Sequence, residues 1–239
     1  MHRKYSTILF DADDTLLDFQ RAERTALEKV LCSFSLPATP QILDRYNVIN
    51  ASLWRAFERG EITKEDIKNE RYHRLLEEFQ MQTDVTPREI NDRYLELLGT
   101  CGFVLPGAKT LCSALKDRGY DLYIITNGVP HTQRSQMERS GLLPYFSEIF
   151  VSETIGVQKP FLPFFTHVLS CVPEKDPTKI IVVGDSLGSD MQGAVNAGLD
   201  CIWFNPRGKE NDRALPVTIE VQTLLQVGEF FDVTIESGE

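Results

Sequence analysis

Residues 7–15 read TILFDADDT, four strand-forming residues followed by three aspartates within the next four positions. A nearly continuous apolar run of this length predicts a strand that is buried on both faces, as in a parallel sheet. Open α/β sheets form their ligand sites at the carboxyl ends of such strands, which is where Asp11 and Asp13 stand. Acidic turns are common, so these two carboxylates indicate a site only if other strands end in matching groups.

Further segments share the apolar character of the first strand; they are 122–125, 149–151, 180–183 and 201–204. Helix-like stretches lie between them. Three of these stretches are followed by a glycine that can form a left-handed C-cap, at Gly119, Gly141 and Gly198. Strand and helix in alternation predict the α/β class, with an open, Rossmann-like parallel sheet and right-handed crossovers.

The interval 19–100 differs from the rest because it shows four amphipathic helical patterns and no convincing strand. A Thr-Pro pair at 39–40 opens the second helix, and a capping box at 86–89 opens the fourth. We therefore expect an inserted four-helix domain at 19–100, and an α/β core built from 1–18 and 101–239. The aromatic residues of the insertion are expected in its core rather than at a substrate; they are Trp54, Phe57, Tyr72, Phe79 and Tyr94.

The chain has 239 residues, and 25 Lys and Arg against 35 Asp and Glu leave a formal net charge of −10. This sign argues against general attraction to a nucleic acid polymer or an anionic membrane surface. The five cysteines are scattered without a C-x-x-C pair, as is typical of reduced thiols in a cytosolic protein. Asp11 cuts short the apolar run at 8–10, and no run approaches the ~18 residues of a membrane span. We expect a cytoplasmic monomer or homodimer.

Three later segments place chemistry-bearing residues at strand ends or helix entries. Residues 180–185 repeat the first arrangement and end in Asp185, with Asp190 following at a helix start. Residues 122–128 end in a hydroxyl and flexible backbone N–H groups, which can cradle phosphoryl oxygens. Lys159 precedes a proline in the segment 156–160 and, taken alone, would be a solvated surface residue.

These segments, in this order, resemble the four signature motifs of the haloacid dehalogenase-like (HAD) hydrolases. The nucleophile motif of that family matches residues 11–15, the second motif matches Thr126, the third Lys159, and the fourth residues 184–190. The helical insertion resembles the cap that the family places between its first and second motifs. The resemblance covers essentially the whole chain and implies a HAD core with a helical cap.

The resemblance implies a phosphatase that acts on a small-molecule phosphate monoester through an aspartyl-phosphate. Asp11 would attack phosphorus, and Asp13 would protonate the leaving oxygen and then deprotonate the water. Thr126, the N–H of Asn127 and Lys159 would bind the transferred phosphoryl group. Because dehalogenases of the family lack the acid at the position of Asp13, the resemblance favours phosphoryl chemistry.

The resemblance also implies a Mg²⁺ ion, held by the carboxylates of Asp11 and Asp185 and by the backbone carbonyl of Asp13. Carboxylate and carbonyl oxygens are the hard ligands that this ion prefers. Several carboxylates beside a phosphate dianion would repel one another without a cation. Asp190 would support either the metal or Lys159, and the sequence leaves that choice open.

Within the family, residues 13–19, 57–63 and 196–200 resemble the branch of pyrimidine 5′-nucleotidases, which act on nucleoside monophosphates. Phe19 follows the first motif, and its ring could stack on a base or simply pack the hinge. Phosphoglycolate and sugar-phosphate phosphatases share every core motif and stay as alternatives.

Two alternatives of another class are weaker. A receiver domain of signalling proteins carries its acceptor aspartate on a later strand and needs no helical insertion. A catalytically inactive HAD-fold interaction module would have lost motif residues, and none is replaced here.

Overall fold

The computed structural model describes residues 4–234. The chain forms two compact units, one made of Met1–Phe19 and Gly102–Glu239, the other of Gln20–Cys101. Both junctions between these units lie one residue from the boundaries expected from the sequence.

The first unit contains a six-stranded sheet in the order β3-β2-β1-β4-β5-β6, and every neighbouring pair is parallel. The strands are β1 Thr7–Phe10, β2 Asp121–Thr126, β3 Glu148–Val151, β4 Ile180–Gly184, β5 Asp200–Phe204 and β6 Ile219–Val221. The predicted parallel α/β sheet is confirmed. The edge strand β6 was not expected, because only Val221 of its three residues is buried and no apolar run marks it.

The helices in chain order are α1 Phe19–Ser33, α2 Pro40–Glu58, α3 Lys64–Glu78, α4 Pro87–Gly99, α5 Ala108–Asp117, α6 Pro130–Arg139, α7 Ser152–Ile155, α8 Leu162–Cys171, α9 Gln192–Ala197 and α10 Leu224–Phe230. Short 3₁₀ turns lie at Leu143–Tyr145 and Pro177–Lys179, and a π turn lies at Leu187–Met191. Among the described residues, none of these helices is both long and apolar enough to cross a lipid bilayer.

Side chains of β1 alternate between two apolar cores, one on each face of the sheet. Ile8 belongs to the core that includes Leu111 of α5 and Leu224 of α10. Leu9 belongs to the core that includes Phe165 of α8. Helices therefore cover both faces of this strand, as its continuous apolar run predicts.

The glycines predicted as left-handed C-caps have that conformation, with φ of 77° at Gly119, 73° at Gly141 and 68° at Gly198. The helix that Gly198 closes starts differently from the prediction. Asp190 lies in the first turn of a helical segment, as predicted, but that turn is the π turn Leu187–Met191, and the α-helix α9 begins only at Gln192. Such π turns are rare and are frequent at functional sites.

The second unit contains four helices, α1–α4, as predicted. Thr39 accepts a hydrogen bond from the N–H of Ile42 at the start of α2, and Thr86 and Glu89 form the expected capping box of α4. Tyr72 and Tyr94 are fully buried in this bundle, with ring centroids 6.0 Å apart, and Phe57 is buried as well. Trp54 and Phe79 are only half-buried, so the prediction of core positions holds for three of the five rings.

Candidate active site

Three neighbouring strands end at the same edge of the sheet and place their following residues together. Phe10, the last residue of β1, is in register with Ile124 of β2 and Val183 of β4. The N–H of Asp11 continues the ladder by donating to the carbonyl of Val183, at 2.9 Å. The parallel register therefore brings the Asp11, Thr126 and Asp185 regions to one edge, although they are far apart in sequence.

Lys159 is buried at this edge, with 1% of its surface exposed. Its Nζ donates to Asp11 Oδ1 at 2.8 Å, to Asp190 Oδ1 at 2.7 Å and to the Ile125 carbonyl at 2.8 Å. Burial alone would lower the pKa of this ammonium group, but Asp11 and Asp190 raise it above its ordinary value. Lys159 is thus a charged, fully satisfied group inside the protein and not a surface lysine.

The side chain of Asn127 fixes the backbone of Lys159. Its Oδ1 accepts from the Lys159 N–H at 3.0 Å, and its Nδ2 donates to the Lys159 carbonyl at 3.1 Å. This two-way bond ties the turn after β2 to the segment that precedes α8. Sequence reasoning assigned Asn127 only a backbone N–H role and missed its side chain.

Asp190 uses both of its carboxylate oxygens. Oδ1 accepts from Lys159, and Oδ2 accepts from the N–H of Ser186 at 3.1 Å. A Cβ atom at Gly184 would lie 2.4 Å from Asp190 Oδ2, so the close approach of this carboxylate requires a glycine there. The structure therefore records the contact of Asp190 with Lys159, one of the two roles that the sequence left open.

Asp11, Asp185 and Asp190 form an acidic cluster, and each offers one oxygen within 4.8 Å of the other two. Burial and the nearby Asp190 raise the pKa of Asp185 to about 7, and burial raises that of Asp11 well above its usual range. Three carboxylates lie beside two ammonium groups here, the buried Lys159 and the exposed Lys209, whose Nζ is 3.6 Å from Asp185 Oδ2, so negative charge is still in excess. A hard divalent cation such as Mg²⁺ fits this all-oxygen donor set.

A hydrogen-bonded chain links Thr126 to Asp13. The Thr126 hydroxyl accepts from the Gly128 N–H and donates to Gln133 Oε1, both at 2.9 Å. Gln133 Nε2 donates to Asp13 Oδ1 over a longer distance of 3.4 Å. Burial raises the pKa of Asp13 to about 6, and the bond from Gln133 opposes this shift.

Three features of this region were not anticipated from the sequence. Gln133 lies on the buried face of α6, where nothing in the helical pattern separates it from a core residue. Lys209, in the loop after β5, has its Nζ 3.6 Å from Asp185 Oδ2. The hydroxyl of Thr15 donates to Asp11 Oδ2 at 3.0 Å, a contact that the four-residue spacing in the first motif could have suggested.

Of the predicted site residues, the structure joins Asp11, Asp13, Thr126, Asn127 and Lys159 through the contacts above, with Asp185 in the acidic cluster. Phe19 is the exception. It is half-buried at the first residue of α1, and its N–H bonds to the Leu17 carbonyl at 2.9 Å. The role of its ring stays a prediction.

Comparisons with known proteins agree with the resemblance read from the motifs. The family model for haloacid dehalogenase-like hydrolases matches residues 5–198. The HAD-hydrolase YfnB of Bacillus subtilis is 40% identical over 222 residues, which are 93% of each chain. A crystal structure of YfnB bound to magnesium has a TM-score of 0.89 at 38% identity, covering 96% of this chain and 100% of that one.

Two pyrimidine 5′-nucleotidases are also similar over nearly the full length. PynA of Streptococcus pneumoniae is 36% identical over 97% of each chain. YjjG of Escherichia coli is 31% identical over 92% of this chain and 95% of its own.

Proposed function

The chain belongs to the haloacid dehalogenase-like hydrolases, and from that premise we propose that it is a Mg²⁺-dependent phosphatase of pyrimidine nucleoside 5′-monophosphates. The observation that carries the phosphatase proposal is the buried contact of Lys159 with Asp11 and Asp190. We assign catalysis to the α/β core, 1–18 with 101–239, and assign the helical domain 19–100 as its cap.

In this proposal Asp11 is the nucleophile. One of its oxygens forms a bond to phosphorus while the bond from phosphorus to the ester oxygen breaks. Hydrogen bonds from Lys159 to Oδ1 and from Thr15 to Oδ2 hold the carboxylate in a fixed orientation, so little freedom is lost when the substrate arrives.

Asp13 is the general acid and base. It protonates the ester oxygen as the alcohol leaves, and the resulting carboxylate then takes a proton from the water that attacks the aspartyl-phosphate. Attack of that water releases inorganic phosphate and restores the Asp11 carboxylate. The raised pKa of about 6 means that Asp13 can carry a proton closer to neutral pH than an ordinary aspartate can.

The phosphoryl group would be bound by the Thr126 hydroxyl, the Asn127 N–H and Lys159. All three hydrogens of the Lys159 ammonium group are used in the structure, one of them by Asp11. When Asp11 becomes an acyl phosphate it loses its charge, so its bond to Lys159 weakens. The ammonium group then has a hydrogen to donate to a phosphoryl oxygen, which carries the greater negative charge.

The residues assigned to Mg²⁺ are Asp11 and Asp185 through their carboxylates and Asp13 through its backbone carbonyl. The excess negative charge of the acidic cluster supports this assignment. When bound, the ion supplies positive charge that offsets repulsion between the carboxylates and the phosphate and polarises the phosphoryl oxygens.

The choice of a pyrimidine nucleotide is supported by PynA and YjjG, which are similar to this chain across the cap as well as the core. Phe19 supplies an aromatic ring just past the nucleophile motif, and stacking on a base would favour nucleotides over small phosphorylated acids.

The test is a comparison of kcat/KM for UMP, dTMP, phosphoglycolate and a sugar phosphate, with Mg²⁺ and with EDTA. We expect the two pyrimidine nucleotides to be the best substrates, and EDTA to abolish hydrolysis until Mg²⁺ is restored. Better turnover of phosphoglycolate would reject the nucleotidase assignment and leave the phosphatase. Full activity after exhaustive chelation would reject the requirement for Mg²⁺. If none of the esters is hydrolysed, the phosphatase and the nucleotidase assignments are both rejected.

A further inference from the structure

Gln133 stands between two groups that the proposed reaction uses at different atoms of the substrate. Its amide accepts from the hydroxyl of Thr126, which binds the phosphoryl group, and donates to Asp13, which serves the leaving oxygen. Gln133 and Thr126 are each only 1% exposed, so the bond between them is shielded from water. A planar amide therefore connects the two groups at a fixed separation.

The backbone of Gln133 is also held in place by hydrogen bonding. It lies in the first turn of α6, and its N–H donates to the Val129 carbonyl at 2.8 Å. Val129 comes three residues after the end of β2, so Gln133 follows the strand end that carries Thr126 through one short turn. Its side chain thus starts from a rigid support, which is what accurate positioning requires.

The chemistry of the partners sets the direction of the amide. An ionised carboxylate only accepts hydrogen bonds, so Asp13 requires the NH₂ group of Gln133. The carbonyl oxygen of the amide then faces Thr126 and takes its single hydroxyl hydrogen. Neither a hydrocarbon nor a carboxylate side chain can supply one donor and one acceptor in this way.

Gly128 provides the space for Gln133. A Cβ atom there would lie 2.3 Å from Gln133 Oε1 and 3.1 Å from Thr126 Oγ1. A side chain at Gly128 must therefore push the amide away from Thr126. This glycine is needed for the close approach of Gln133, which gives a second and independent way to displace the amide.

We propose that Gln133 is a positioning residue for the general acid. This inference rests on the proposed function. The amide of Gln133 holds the Asp13 carboxyl group where it can protonate the leaving oxygen, while Thr126 binds the phosphoryl group. Gln133 acts through Asp13 and exchanges no proton with the substrate itself. In kcat/KM, which covers the steps up to release of the leaving group, its loss should slow only the esters whose leaving group needs a proton, whereas the water step that Asp13 also serves is common to all esters.

The test compares two esters that differ in this need. In UMP the leaving group is the 5′ oxygen of uridine, which takes a proton from the general acid and departs as an alcohol, whereas p-nitrophenyl phosphate releases a stable phenolate that needs no proton. General acid catalysis contributes about 10²–10⁴-fold, so we expect Gln133→Leu to lower kcat/KM for UMP by about 10- to 100-fold. For the aryl ester we expect a change below about threefold, because the acid is not needed there.

Gln136→Leu is the matched control. Gln136 is also buried on α6, and its Nε2 has no hydrogen-bond partner among the described residues, so the same substitution one turn away removes no such bond. We expect it to change both esters equally and little. Gly128→Ala should reproduce the selective loss of UMP turnover, and in a Gln133→Leu background it should add almost nothing.

The outcomes are distinct. A loss that is equal for both esters in Gln133→Leu and Gly128→Ala means a structural role only and overturns the positioning role, as does a Gln133→Leu enzyme indistinguishable from Gln136→Leu. If Gln133→Leu fails to fold, Gly128→Ala is the test: a loss for UMP alone supports the positioning role, and an equal loss for both esters overturns it. A folded wild type that hydrolyses neither ester overturns the proposed function itself and this role with it.

Discussion

Lys159 in the α/β unit and Arg71 in the helical unit are both buried cations, 1% and 4% exposed, yet their surroundings differ in charge. Lys159 bonds directly to two carboxylates, with a third nearby. Arg71 donates to amide oxygens instead, from Nε to Asn91 at 3.0 Å and from Nη1 to Asn50 at 3.5 Å.

The Arg71 group is electrically balanced. Asn50 donates in turn to Glu23 Oε1 at 2.6 Å, so one carboxylate offsets one guanidinium through a neutral amide. The guanidinium carbon also lies 4.6 Å from the ring centroid of Tyr94. Burial by itself would lower the pKa of Arg71, and the tyrosines and Glu23 raise it above its usual value.

The difference separates two uses of buried charge. Ion-pair networks perturb pKa values whether or not they catalyse anything, so burial and a shifted pKa do not identify a site. The Lys159 cluster has unbalanced carboxylates at strand ends, where a cation and a substrate can be taken up. The Arg71 cluster has no excess charge and fills the interior of a bundle. Variants in the two clusters should therefore fail in different ways.

The largest effect is expected from Asp11→Asn. An amide is a very weak nucleophile, so activity should fall by a factor on the order of 10⁵, while the near-identical shape keeps the unit folded. The measurement is kcat for UMP together with a thermal melt. Asp14→Asn is the matched control, because it removes the same charge three residues away, and it should stay active. A folded, active Asp11→Asn protein would remove Asp11 as the nucleophile.

The second effect falls on stability and is expected from Arg71→Met. Without the guanidinium, Glu23 and two amide oxygens stay buried without their cation, which costs about 3 kcal/mol. The chain has two tryptophans, Trp54 in α2 and Trp203 in β5. In a Trp203→Phe background, the fluorescence of Trp54 during urea unfolding reports on the helical unit alone.

Arg74→Met serves as the control for Arg71→Met. Arg74 lies on the same helix but is exposed and pairs with Glu70 at the surface, 2.9 Å away, and exposed pairs contribute at most about 1 kcal/mol. Arg71→Met should keep its phosphatase activity in native buffer. If it loses activity while the unfolding free energy of the helical unit is unchanged, the two clusters do not differ as described.

The same two clusters show what can be read from sequence. Asp11, Thr126 and Asp185 each belong to a short local pattern at a strand end, and a parallel sheet brings strand ends together whatever the loops do. Lys159 belongs to a short pattern just before a helix. Arg71 could not be found, because a charged residue in an amphipathic helix ordinarily faces solvent.

The contacts that complete the candidate site depend on tertiary approach rather than on pattern. Gln133 reaches Asp13 across 120 positions of sequence, and the Asn127 side chain reaches the backbone of Lys159 across 32. Strand β6 could not be predicted from the sequence, because a single buried residue makes no periodic pattern. The π turn at Leu187–Met191 could not be predicted either. It allows the N–H of Ser189 to donate to the Ser186 hydroxyl, a contact that the spacing of apolar residues does not indicate.

The smallest effect is expected from Phe19→Ala, which tests substrate choice rather than chemistry or stability. Stacking of a base on an aromatic ring contributes roughly 1–3 kcal/mol, so the preference for UMP over phosphoglycolate in kcat/KM should shrink by about five- to a hundredfold. A ring that only packs the hinge would predict an equal loss for both substrates. Phe103→Ala is the matched control, since the Phe103 carbonyl accepts from the Asp18 N–H at 3.1 Å where the chain returns beside Phe19. If both variants leave the UMP preference unchanged, stacking by Phe19 is wrong, and recognition of the base must come from other residues.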